Sequence, residues 1–266
     1  MFSLLLIVAL LACPVLSFAQ TNSNSKEPAP RIHTDQSVVV GAHLTPEEVE
    51  DGKMNDIYQP IYGFEREGNC DGIIETARSA VIPAAEQATF VSVRNKFLFL
   101  SYRGIGDCTF KAKHYAEAEE TYLKAVEYAD KDDSSYAINF ESIALCRMAQ
   151  QQISGAEEPM EKAVSLLGDE IQRLKMSDTY KKEDFVTNAV RMDQDTAMNY
   201  LAVLRFRQQR YPEAFTLLGR AYDQAIKFQA PTHTVELIVG TAREIALAIG
   251  DDAENAIWMK RAPISN

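Results

Sequence analysis

The chain has 266 residues, of which 46% are hydrophobic and 24% charged, with 12 Gly and 10 Pro. These values lie near those of an ordinary globular protein and exclude a wholly disordered or fibrous chain. A balance of 27 Lys+Arg against 38 Asp+Glu, net -11, repels a phosphate backbone, and no Lys/Arg cluster is interleaved with aromatics. Nucleic acid is therefore not an expected partner.

Residues 1–19 carry no charge, hold an apolar run from Leu4 to Ala12, and end in Ser17-Phe18-Ala19. That small-x-small ending suits signal peptidase, which predicts a signal peptide cleaved between Ala19 and Gln20. No Lys or Arg precedes the apolar run, and an uncleaved anchor is the alternative. Its stretch of about eighteen residues is short for a span of ~20. Leu10-Leu11-Ala12-Cys13 also resembles a bacterial lipoprotein box, in which Cys13 becomes the lipidated first residue. The expected location is the periplasm or the medium, with membrane attachment only through a lipid on Cys13 or an uncleaved signal. Residues 20–43 are polar and proline-containing, a composition that buries too little apolar area to offset ordering, and they read as a flexible leader. Val38-Val39-Val40 is their one strand-like triplet.

Thr45-Pro46-Glu47-Glu48 opens the folded part as a helix start. Thr caps the first amides, Pro suits the first turn, and the carboxylates favour the positive end of the helix dipole. From there apolar residues recur at three and four, without period-two alternation, which predicts an all-α chain. The pattern repeats. Ala118, Tyr122 and Ala125 share their spacing with Ala156, Met160 and Ala163, and with Ala214, Leu218 and Ala221. Tyr115, Ile153 and Tyr211 stand three residues before each leading Ala, and Gly106, Ala144 and Ala202 stand twelve before. Large residues accompany those small ones: Ile105 and Tyr102, Ile143 and Phe140, Leu201 and Met198.

A small mid-helix residue facing a second small residue beyond a turn lets two antiparallel helices approach at the short end of 8–10 Å. Each unit is then a helix hairpin with apolar flanks left over, and it must stack on a neighbour. These spacings resemble the tetratricopeptide repeat (TPR), with a small residue in the first helix, an aromatic at the turn, and Ala, large, Ala along the second. The resemblance implies a right-handed α-solenoid over residues 44–266, with units at about 98–131, 137–169 and 195–228. Degenerate terminal units fall at about 54–86 and 232–262. In the first of these, Gly68-Asn69-Cys70 makes the turn, Ile73, Ala77 and Ala80 take the repeat places, and Pro60 is expected to interrupt the first helix. In the last, Gly250-Asp251-Asp252 makes the turn and Asn255, Met259 and Ala262 follow.

The leading Ala residues are 38 and then 58 apart (118 to 156, 156 to 214), against 34 in a regular array. The extra length between Leu167 and Asp195 predicts two overlong helices, with Ser177-Asp178 capping a restart and Phe185, Ala189 and Met192 continuing it. Pro159 predicts either a late start near Gly155-Ala156 or a kink.

Motifs for catalysis are missing: there is no G-x-S-x-G, H-E-x-x-H, C-x-x-C or phosphate-cradling glycine loop. Gly104-Ile105-Gly106-Asp107 reads as helix packing. His33, His43, His114 and His233 are scattered, and acidic pairs such as Glu119-Glu120 and Glu157-Glu158 read as solvated helix starts. Neither an enzyme nor a cofactor nor a metal is expected. Cys70, Cys108 and Cys146 are spaced 38 and 38. In the repeat register Cys108 and Cys146 stack about 10 Å apart, too far for a disulfide, whereas Cys70 and Cys108 lie on packing neighbours. A Cys70–Cys108 disulfide is one expectation; three small buried thiols are the other.

In proteins of this kind the first helices line a concave surface that holds an extended peptide or a partner's helix. The corresponding positions are Tyr58, Tyr62, Arg103, Asp107, Phe110, Lys111, Glu141, Leu145, Met148, Asn199, Val203, Phe206 and Arg207. Aromatic, Met and Arg side chains suit partner contacts. The resemblance thus implies a non-catalytic scaffold for a protein or peptide, acting outside the cytoplasm. The alternative is a solute- or carbohydrate-binding repeat protein at the cell envelope.

Overall fold

The computed structural model describes residues 44–131, 133–176 and 184–261. The expected signal peptide with its Ala19–Gln20 cleavage, Cys13, the expected leader, the expected Ser177-Asp178 cap and Ala262 lie outside them. All regular structure among the described residues is helical. The helices are α1 (Pro46–Glu67), α2 (Cys70–Thr76, continued by π-helical Ala77–Val81 and by Ile82–Glu86), α3 (Val91–Lys111), α4 (Tyr115–Tyr128) and α5 (Ser134–Ala149). They continue as α6 (Ile153–Met176), α7 (Asp184–Arg207), α8 (Tyr211–Lys227), α9 (Thr232–Ile249) and α10 (Asp252–Arg261). Each helix packs chiefly on its chain neighbours, so the architecture is a row of antiparallel hairpins, α1/α2 to α9/α10.

The start of α1 is a capping box: the Thr45 hydroxyl accepts from Glu48 N–H, while Thr45 N–H donates to the Glu48 carboxylate at 2.7 Å. The same helix holds Glu50, whose carboxylate accepts from the amides of Thr89 and Phe90 at 2.9 and 2.8 Å and so satisfies the start of α3. Pro60 does not interrupt α1, which runs through it to Gly68. Pro60 is exposed, so water can serve the carbonyl its missing N–H leaves free. Pro83 acts differently. The helix widens just before it, with Ile82 N–H reaching back to Ala77 O. That π turn inserts one residue and shifts the buried face: Ala77, Val81 and Ala85 are buried, and Ala80 is exposed.

In the three middle hairpins the repeat alanines Ala118, Ala125, Ala156, Ala163, Ala214 and Ala221 are fully buried, as are Ala144 and Ala202. Gly106 is closed by a different neighbour than its repeat partner Ala118: a Cβ there would lie 2.7 Å from the Tyr122 ring. The missing side chain makes room for an aromatic rather than for a second small residue. The three inter-helix turns are alike. Lys113, Gln151 and Gln209 adopt positive φ (65°, 63°, 63°), and the following amides return to Thr109, Arg147 and Arg205 carbonyls. This is a Schellman closure without its usual glycine.

Pro159 sits inside α6, which begins at Ile153, ahead of the expected late start, and runs 24 residues. The carbonyl that Pro159 cannot serve is that of Gly155, and Arg147 Nη1 donates to it at 2.8 Å. α7 is equally long, 24 residues, so the extra length between Leu167 and Asp195 lies in the end of α6 and the start of α7. In α10 the packing residue is Trp258, 1% exposed, and Met259 points outward at 56%. Trp258 wins because its indole packs edge-on to Tyr222 at 5.9 Å and its N–H donates to Glu254 Oε1.

Candidate partner-binding face

The first helices α1 and α3, α5 and α7, and α7 and α9 pack on one another, which places one side of each on a common face. Five of the residues expected there are core instead. Tyr58 is 2% exposed, Leu145 6%, Met148 0%, Asn199 2% and Val203 6%. Tyr58 lies 5.9 Å from Phe97, and Leu145, Met148 and Val203 belong to the core cluster shared by α5, α6 and α7. In α1, α5 and α7 the neighbouring helices sit close enough to bury positions that would line a wider groove.

Phe110 and Phe206 are half-buried. Each packs against the first residue of the following helix, Phe110 on Tyr115 at 5.2 Å and Phe206 on Tyr211 at 5.9 Å. They brace turns more than they present rings. Arg207 reaches across to the Met148 carbonyl at 3.5 Å. What stays accessible is Tyr62, 42% exposed, exposed Lys111, and half-buried Arg103, Asp107 and Glu141.

Arg103 is the electrostatic centre of this face. Its guanidinium offsets the charges of Glu65 on α1, Glu141 on α5 and Asp193 on α7. Burial, then the neighbouring Asp193 carboxylate, pushes the Glu141 carboxyl up to about 8 despite Arg103. Burial pushes Asp193 up to about 6, and Glu65 rises from burial and from Asp107. Asp107 is held by the Tyr122 hydroxyl, which donates to its Oδ1 at 2.7 Å. Carboxylates from successive hairpins thus converge around one arginine in a partly desolvated setting, where charges interact more strongly than in water.

Glu65 and Asp193 are absent from the positions that the repeat pattern assigns to this face. Asp193 precedes the start of its unit, because the added turns of α7 fall outside the regular repeat length. Glu65 lies three residues beyond Tyr62, one turn past the last position assigned in the degenerate first unit. Among the described residues no group of three or more His, Cys, Asp and Glu side chains has metal-holding geometry.

Cys70, at the start of α2, and Cys108, in α3, form a disulfide with Cα atoms 5.2 Å apart. Cys146 is a buried thiol, and burial pushes it up to about 12.

Comparison with solved structures settles the architecture. BtubC (BKLC) from P. vanneervenii aligns with a TM-score of 0.62 at 14% identity, covering 82% of this chain and 80% of that one. A putative kinesin light chain with nearly identical TPR-like repeats from Podosopora anserina aligns with a TM-score of 0.54, also at 14% identity, covering 80% and 94%. A point variant of that protein gives 0.55 over 83% and 95%. This is a TPR-like fold. The solenoid has degenerate terminal units, seen in the π turn of α2 and in the shifted packing of α10. No protein-family model and no curated protein matches the sequence.

Proposed function

We propose that this TPR-like solenoid is a non-catalytic scaffold that holds a protein or peptide against the face of its first helices, outside the cytoplasm. The observation that carries the reading is the Arg103 cluster, in which partly desolvated charges from α1, α3, α5 and α7 share one accessible face. Groups arranged in this way specify a partner's charge pattern more than they stabilise the fold. Export is supported by the signal-like residues 1–19 and by the Cys70–Cys108 bond, since disulfides persist in oxidising compartments. Phe110 and Phe206 are half-buried and packed on Tyr115 and Tyr211, which leaves less ring surface for sugar stacking, and the carbohydrate reading falls behind. The test is capture of exported host proteins by the wild type and by Tyr62→Ser/Lys111→Ala. Loss of the captured partners by the double variant, at unchanged helicity, supports the assignment. Equal capture places the binding surface elsewhere.

A further inference from the structure

Arg191, near the start of α7, is 5% exposed, and its guanidinium is served on one side only. Nη1 donates to Asn188 Oδ1 at 2.7 Å, and the group rests 3.7 Å from the centroid of the Phe228 ring. Its buried Nε and Nη2 have no hydrogen-bond partner. Asp195, one turn further along α7, gives Oδ1 to the Gln224 amide at 2.9 Å instead. Burial pushes that carboxyl up to about 8 despite Gln224 and Arg191, so at neutral pH it brings little charge. A second cation, Lys227 Nζ, lies 5.1 Å from the same ring centroid. An aromatic face attracts two such cations but does not neutralise them. A guanidinium cannot shed its proton as a buried lysine can, and a buried charge without a counter-ion is costly.

We propose that the edge of Arg191 formed by Nε and Nη2 binds a small carboxylate anion that enters beside Phe228, with Lys227 drawing it in from solvent. Those two nitrogens are the parallel donors of one fork, and a flat two-oxygen group meets both at once. A tetrahedral dianion would bring a second charge and oxygens out of the plane of that fork. The site is close to the surface: Phe228, at the C-cap of α8, and Asn188 are half-buried, and Lys227 is exposed. The guanidinium is therefore one contact away from water, and its low exposure selects a carboxylate on a short stem over an extended chain. Arg191 packs on the end of α8, and the inference does not depend on the scaffold reading.

The test is saturation-transfer NMR on the methyl protons of acetate, titrated into the protein at constant ionic strength and pH 7. The wild type should transfer saturation to acetate, and formate should displace it where sulfate at equal ionic strength does not. Arg191→Lys keeps the charge and removes the fork, and should weaken acetate about tenfold or more. Lys227→Gln, at the rim, should weaken it less and make binding less sensitive to salt. The wild-type melting temperature should rise in acetate relative to chloride, and that of Arg191→Lys should not. Circular dichroism checks that each variant is folded, and Arg191→Gln, which removes the buried charge, takes the place of Arg191→Lys if lysine prevents folding. The proposal is overturned if the wild type transfers no saturation to acetate or if sulfate displaces acetate as readily as formate does. It is equally overturned if the folded Arg191 variant binds acetate as tightly as the wild type.

Discussion

The Tyr122 hydroxyl donates to Asp107 Oδ1 at 2.7 Å, and the ring that carries it lies against Gly106, where a Cβ would come within 2.7 Å. One residue therefore joins the hairpin core to the charged face. The glycine admits the ring between α3 and α4, and the ring's hydroxyl holds the neighbouring carboxylate. Burial and Asp107 together hold the Tyr122 phenol well above its ordinary range, so it stays a hydrogen-bond donor through the physiological pH range.

Gly106→Ala should test that arrangement. Alanine favours a helix by about 1 kcal/mol over glycine, but the added methyl meets a ring tethered at its far end. Overpacking of this kind costs ~1–3 kcal/mol, and a net loss of stability in urea is expected. Combining it with Tyr122→Leu should recover part of the loss. A Gly106→Ala protein more stable than wild type would show that the ring moves aside freely.

Arg147 and Pro159 should be coupled although they do not touch through a shared salt bridge. Arg147→Ala removes the donor to the Gly155 carbonyl, with an expected cost of about 1 kcal/mol. In a Pro159→Ala background the backbone N–H of residue 159 can serve that carbonyl. The arginine should then matter less, and a double-mutant cycle by chemical denaturation reads the difference. Arg147 also pairs with Glu119 at 2.7 Å, so part of its effect should persist in both backgrounds.

The Cys70–Cys108 bond closes a loop over a sequence separation of 38. Constraint of the unfolded chain predicts a loss of about 2–4 kcal/mol on Cys70→Ser/Cys108→Ser. Denatured without reductant, residues 44–261 should titrate one thiol, that of Cys146, and three after reduction. Three thiols before reduction would remove the bond from the native protein.

Glu141 makes stability depend on pH in an unusual direction. Its carboxyl is raised to about 8, above its value in an unfolded chain, so the folded state holds the proton more tightly. Stability from this group is complete at pH below the unfolded value and declines as pH rises through the interval up to about 8, where folding keeps a charge out of water. Asp193 contributes with the same sign over a lower interval that ends near 6. Glu141→Gln should therefore raise the melting temperature at pH 9 and leave it unchanged at pH 4. A shift of equal size at both values would trace the effect to packing instead of charge.

The helical class, the hairpin phase and the places of closest packing follow from the sequence alone. Those features are local: an alanine at a fixed step along a helix turns inward wherever the chain goes, and Ala118, Ala156 and Ala214 are buried for that reason. The spacing of the cysteines is equally legible, because a regular stack converts separation along the chain into separation in space. The shifts by one residue are not. Val81 replaces Ala80 because a π turn forms ahead of Pro83, and Trp258 replaces Met259 because Tyr222 stands beside it. Both depend on backbone or neighbours outside the repeat pattern.

The binding face belongs mostly to tertiary structure. Periodicity assigns a side of a helix, but whether that side is open depends on how closely the next hairpin approaches. Tyr58, Leu145, Met148, Asn199 and Val203 are covered, while Glu65 and Asp193 join Arg103. Burial and charge proximity are sums over all surrounding groups, and only the stacked chain brings the residues of four helices around one guanidinium.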